Sequence, residues 1–227
     1  MRKTLVLFLA LLFVIASFAQ KTPEQMGGVY YAYPGPTANV FADIPEGYTP
    51  FYISHYGRHG SRWLPSDSRY EWVLQQFSDK SNLTGRGMNV RRRLQKVWEN
   101  ARGNGGKLTS LGAKQHRGIA QRMLRNFPMI FREGASVEAH SSVVDRCVKS
   151  MEAFVDELKV QSPSLHITTV ADSAEMRFMS YDSPELKLLQ QETNIPLRIS
   201  PNRFASNLFK DPSRLEDAQK LMSELFT

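Results

Sequence analysis

The fold turns on one stretch, Phe51-Tyr52-Ile53-Ser54-His55-Tyr56-Gly57-Arg58-His59-Gly60-Ser61-Arg62. Its first four residues follow Pro50 and read as a short buried strand, since a brief aromatic and β-branched run bounded by turn residues suits a sheet interior. The next eight are punctuated by glycine and set an imidazole between two guanidinium groups. In an open α/β sheet, ligands bind beyond the carboxyl ends of the strands. Glycines there let the backbone turn and come close to a ligand. An arginine fork pairs with phosphate through charge-assisted hydrogen bonds. A neutral histidine beside bound phosphate can attack phosphorus, with arginines stabilising charge on the equatorial oxygens. The competing reading is a basic loop with an incidental histidine.

Elements follow on the C-terminal side. Tyr70, Val73, Leu74 and Phe77 stand at helical spacing, interrupted by Gly85 and Gly87, and Val90, Leu94, Val97 and Ala101 mark a second helix face. Gly103 to Gly106 is a loop. Thr109 is an N-cap for a helix whose apolar side holds Ala113, Ala120, Met123 and Phe127 and which Pro128 stops. Val137 and Ala139 alternate with polar neighbours, predicting a strand over 136–140. Ser141 or Ser142 would cap the next helix, which buries Cys147, Met151, Phe154, Val155 and Leu158. Pro163 ends it, and Leu165, Ile167 and Thr169 alternate as another strand. Strands alternating with helices predict an α/β fold, a largely parallel sheet flanked by helices. From about Ala171 the pattern is mainly helical, the start of a helical subdomain, with a Pro201-Asn202 turn.

The arginine-histidine stretch resembles the signature of the histidine phosphatase superfamily in its acid phosphatase branch. Leu108-Thr109-Ser110-Leu111-Gly112, followed by Gln115-His116, resembles that family's Leu-Thr-x-x-Gly helix start. Ser141 to Ser150 resembles its second block, in which an arginine opens a helix and joins the phosphate pocket. The flanking His55-Tyr56-Gly57 and Trp63 look most like the multiple inositol polyphosphate phosphatases, which are phytase-like. The resemblance spans roughly residues 45–190. It implies that His59 is the nucleophile that becomes phosphohistidine and that Arg58, Arg62 and Arg146 bind the phosphate. It implies no cofactor and no metal, because three arginines supply the positive charge.

Two departures stand out. Leu64 occupies the place where the family has proline, with Pro65 next. The family's second histidine and acidic proton donor, in a His-Ala-Glu or His-Asp motif, has no match among His55, His59, His116, His140 and His166. Glu138-Ala139-His140 has those residues in reverse order. The donor is therefore expected beyond Thr227, and the chain reads as an N-terminal fragment.

Over the whole chain, 29 Lys+Arg against 22 Asp+Glu give +7, and hydrophobic residues make up 41%. That composition excludes disorder, collagen and a multi-span membrane protein. The single cysteine, Cys147, excludes an intrachain disulfide and a multi-cysteine metal site. Residues 58–107 hold eleven basic and four acidic side chains, which favours a local site for an anion. Arg91-Arg92-Arg93 with Lys96 lies opposite an apolar stripe and reads first as a solvated helix face, or else as a rim that draws in a polyanion.

Arg2-Lys3, the apolar run Leu5 to Ala16 and the small residues Ser17 and Ala19 read as a signal peptide. The run is too short for a spanning helix. The expected organisation is a signal peptide over 1–19, an irregular lead-in over 20–50, a core over 51–170 and a mainly helical segment over 171–227. The expected function is an exported phosphatase, periplasmic or extracellular, acting on inositol polyphosphates. Partners are phosphorylated small molecules, with no nucleic acid and no membrane anchor after cleavage. Some relatives also act on bisphosphoglycerate. The alternatives are a phosphate-binding inactive remnant and a phosphohistidine mutase or phosphotransferase. A nucleic-acid or membrane-surface binder is a more distant reading.

Overall fold

The computed structural model describes residues 27, 30–36, 44–174, 176–179, 184–193 and 212–227. The expected signal peptide and the Pro201-Asn202 turn lie outside them. Contacts divide the chain into two units, Met1–Asn39 and Val40–Thr227. The second unit carries the described α-helices and the paired strands.

Its elements run α1 (Asp67–Gln76), α2 (Gly85–Ala101), α3 (Ser110–Asn126), β1 (Ser136–His140), α4 (Asp145–Gln161), β2 (His166–Val170), α5 (Met176–Met179), α6 (Pro184–Thr193) and α7 (Pro212–Leu225). The fold is mixed α/β. β1 and β2 pair in parallel, with Ser136 opposite His166 and His140 opposite Val170, and α4 makes the crossover that a parallel pair requires.

The core forms where α3 and α4 pack together over this sheet. Ala120 and Leu158 are wholly buried, Leu165 closes the cluster, and Leu124, Phe131, Val137, Phe154 and Ile167 pack around it. Burying a Leu or Val side chain contributes about 1.5–3 kcal/mol, so Leu158 and Val155 anchor α4. Thr109 caps α3 as expected, its hydroxyl accepting from Gly112 N–H at 3.0 Å. α2 starts at Gly85 rather than at the later apolar stripe, because Thr84 caps it by accepting from Gly87 N–H at 3.1 Å. α1 and α7 pack against α2, and the Phe77 and Phe226 rings meet at 5.1 Å. Arg92, Arg93 and Lys96 are exposed, while Arg91 donates to the Phe77 carbonyl at 3.3 Å.

Two expectations fail. Residues 51–54 form no strand and pair with neither β1 nor β2. Phe51 is 92% exposed. A strand exists through a ladder partner and a covered face, and this segment has neither among the described residues. The helix after β1 is capped by neither Ser141 nor Ser142. The helix starts at Asp145, so its N-cap is Val144, with no side-chain bond; the Ser141 hydroxyl donates to the Ser142 carbonyl at 2.9 Å. Val144 has no side chain that could accept from the first N–H groups of α4.

Candidate active site

Residues 58–64 form no regular element beyond a single antiparallel bridge from Arg62 to Leu108, but most of their backbone polar groups are held. Trp63 N–H donates to the Lys107 carbonyl at 3.0 Å, Gly106 N–H to the Leu64 carbonyl at 2.7 Å and Thr109 N–H to the Ser61 carbonyl at 2.9 Å. The Thr109 hydroxyl also donates to the Ser61 carbonyl, at 2.8 Å. Thr109 thus caps α3 and ties the loop to it. Leu64 N–H donates to the Tyr70 hydroxyl at 2.8 Å.

Gly60 sits where this loop meets two helices. A side chain on it would run into the Gly112 backbone, and one on Gly112 would run into the Ser61 carbonyl. Only two glycines permit that approach of loop to helix end. From α4, the Ser150 hydroxyl accepts from Gly60 N–H at 3.1 Å. From α3, Gln115 Oε1 accepts from Ser61 N–H at 2.8 Å.

His59 is half-buried in this frame. Its Nδ1 lies 2.8 Å from the Gly60 carbonyl oxygen. A carbonyl can only accept, so Nδ1 carries the proton and Nε2 keeps its lone pair. The pKa of His59 is lowered from 6.5, first by desolvation. The Gly60 hydrogen bond opposes the shift, and the positive charges of Arg146, Arg58 and Arg62 reinforce it. His59 is thus neutral at pH 7, and all three arginines lie near enough to act on its ring.

Arg146 is the second residue of α4. Its Nε is buried with no hydrogen-bond partner, a state that costs free energy unless an anion answers it. The N-terminal dipole of α4 adds partial positive charge at the same end. Arg62 Nη1 donates to the Trp63 carbonyl at 2.7 Å, which holds one corner of its guanidinium. Like charges gathered around a neutral imidazole repel one another and are readily explained by a bound anion. Residues 51–54 do not pair with β1; α4 instead reaches the loop through Ser150, whose hydroxyl accepts from Gly60 N–H.

The remaining histidines divide. His116 is buried on α3 and donates to the Arg58 carbonyl. Its pKa is lowered, chiefly by desolvation, with the Arg58 bond opposing and His55 and His59 adding to the shift. His55 stacks on Phe154, with ring centroids 6.2 Å apart. His140 lies 4.0 Å from Glu138 on one face of β1. Cys147 is a half-buried free thiol. Sequence reasoning gave no role to Ser150. The signal was its position one turn after Arg146, which puts both on one helix face.

No protein-family profile matches the sequence, and no curated protein matches it. Among solved structures, the chain is similar to a multiple inositol polyphosphate phosphatase of Bifidobacterium longum, determined in complex with inositol hexasulfate. The TM-score is 0.59 at 20% identity, over 87% of this chain and 47% of the other. The chain thus spans about half the length of that structure, and at this identity the likeness is one of fold: a mixed α/β architecture with a parallel strand pair flanked by helices.

Proposed function

We propose that this protein is a phosphomonoesterase of the histidine acid phosphatase type, acting on inositol polyphosphates or similarly multiply phosphorylated small molecules. One observation carries the reading: a neutral His59, with its proton held on Nδ1, amid Arg58, Arg62 and Arg146. In the first step the Nε2 lone pair forms a P–N bond and the ester P–O bond breaks. The departing alcohol oxygen takes a proton from water or from an acid outside these four residues. In the second step water attacks the phosphohistidine, the P–N bond breaks and inorganic phosphate leaves. The arginines hold the equatorial oxygens throughout. The sulfated inositol bound by the structural relative is a stable mimic of a polyphosphate, and the excess of basic residues over 58–107 suits the same charge. We place the protein outside the cytoplasm on the Arg2-to-Ala19 pattern. The secreted form should have an intact mass beginning at Gln20.

The test is incubation with phytate, followed by mass spectrometry under alkaline conditions that preserve phosphohistidine, together with phosphate release. A phosphoryl group on His59 supports the reading. Turnover that survives His59→Ala overturns it. A second reading, a phosphate-binding protein without turnover, is favoured by the arginines being the charged groups that act on His59. Phosphate binding with neither phosphohistidine nor product would decide for it.

A further inference from the structure

Two successive peptide planes lie beside His59, and each is held by a different helix. The His59–Gly60 plane presents its N–H to Ser150 Oγ at 3.1 Å. The Gly60–Ser61 plane presents its N–H to Gln115 Oε1 at 2.8 Å and its carbonyl to His59 Nδ1 at 2.8 Å. The N–H that Gln115 grips and the carbonyl that His59 leans on are thus opposite poles of one rigid plane. Between the two planes stands Gly60, the residue with the freest torsions. Without outside partners nothing local would fix where its carbonyl points.

The holders are themselves constrained. The Ser150 hydroxyl has one proton, which goes to the Arg146 carbonyl at 2.7 Å, so it can only accept from Gly60. That back-bond to the preceding turn fixes its rotamer. Ser150 is buried, so water does not stand in for it. Gln115 lies on α3 one turn after Gly112, whose backbone blocks any side chain on Gly60.

We infer that Gln115 and Ser150 are positioning residues that set the ring-proton tautomer of His59. Gln115 aims the Gly60 carbonyl at Nδ1, and Ser150 stops the preceding plane from turning with it. Nε2 is thereby kept unprotonated. The catalytic consequence rests on the proposed role of His59 as nucleophile, whereas the tautomer can be measured whether or not the protein turns over. An outer hydrogen-bond partner that sets which imidazole nitrogen carries the proton is a general device.

The experiment uses the full chain labelled with 15N-histidine, at a pH where His59 is neutral, with His59→Ala to assign the signals. The wild type should show the Nδ1–H form at His59. Gln115→Leu removes the acceptor at similar bulk and should give a mixture of the two tautomers. Gln115→Glu keeps an acceptor oxygen in place and should restore the Nδ1–H form. On phytate, Gln115→Leu should lower kcat by roughly 10- to 100-fold, as small misplacements of reacting groups do. KM should change little, since the arginines are untouched. If Gln115→Leu does not fold, Ser150→Ala frees the other plane and is read by the same spectrum. An unchanged Nδ1–H signal in a folded Gln115→Leu or Ser150→Ala protein overturns the inference. A wild type with the Nδ1–H signal but no turnover overturns the proposed activity and leaves the positioning role standing.

Discussion

Residues 58–64 and residues 48–57 adjoin in the chain, and both mix aromatics with small and polar residues, yet they are held very differently. In the first, backbone groups of Gly60, Ser61, Trp63 and Leu64 meet partners from α3, α4, residues 106–109 and Tyr70. In the second, Tyr48, Phe51, Tyr52 and Tyr56 stand 72–92% exposed. Neither segment has regular structure. What separates them is whether regular elements reach over to satisfy and cover them. The proposed chemistry sits in the covered one, where backbone carbonyls hold His59 Nδ1 and Arg62 Nη1.

The largest effect that would break this contrast is catalytic. His59→Ala should abolish phosphohistidine formation and bring phosphate release from phytate down to background, since loss of a nucleophile costs about six orders of magnitude. Tyr52→Ser, seven residues away in the uncovered segment, should leave the rate within about twofold, because it meets none of the proposed machinery. Initial rates on both variants, with circular dichroism to show that each is folded, decide the matter. Comparable losses in the two would mean that the segments share one function.

Stability sharpens the contrast next. Gly60→Ala forces a methyl group into the Gly112 backbone, and overpacking of this kind costs about 1–3 kcal/mol. Gly85→Ala, at the start of α2 with nothing within 4 Å of the added carbon, should be neutral or stabilising by up to about 1 kcal/mol. Urea midpoints at constant m-value read both. A Gly60→Ala protein as stable as the wild type would show that the loop is not clamped against α3.

A smaller effect is expected from pH. His59 and His116 both have pKa values lowered in the folded state, chiefly by desolvation. Below the ordinary value of 6.5 the unfolded chain therefore binds more protons than the folded one. The stability these groups contribute is fully present above 6.5 and is lost as pH falls through the lowered folded values. Melting temperature should drop between about pH 7.5 and pH 5, and His116→Gln should flatten the drop. A profile unchanged by His116→Gln would show that His116 is not buried as described.

The long helices were legible because each is periodic over several turns, and the two paired strands because each alternates over its five residues. The Ala113/Ala120/Met123/Phe127 stripe, the Thr109 cap and the Pro128 stop bound α3 closely. Alternation at Val137 and Ala139 located β1. The segment 51–54 was misread because a four-residue apolar run does not reveal whether a partner strand lies beside it. The cap of α4 was misread because the helix begins at Asp145 and the cap position falls on Val144, two to three residues past the serines, and boundaries are what a local pattern places least well. Within the candidate site, arginine and histidine announce themselves by chemistry. Gln115 and Ser150 do not, since their importance lies in which backbone N–H they face, and those groups are 54 and 90 positions away.

The smallest expected effect bears directly on the misread segment. If 51–54 were a covered strand, Phe51→Ser would remove a large apolar side chain from the core, and truncating a buried aromatic costs about 3–5 kcal/mol. In the structure Phe51 is 92% exposed, so almost no transfer free energy is at stake and the change should lie within about 0.5 kcal/mol. Phe154→Ala is the internal reference. That ring packs on the Ala120/Leu158 cluster and stacks against His55, so its loss should cost several-fold more. Both variants are read from urea unfolding midpoints on the same chain. A Phe51→Ser cost near that of Phe154→Ala would mean that the segment is covered in solution, and that the contrast with 58–64 is one of partners not yet engaged. A cost near zero, with Phe154→Ala strongly destabilising, would show that the fold closes around α3, α4 and the two parallel strands without it.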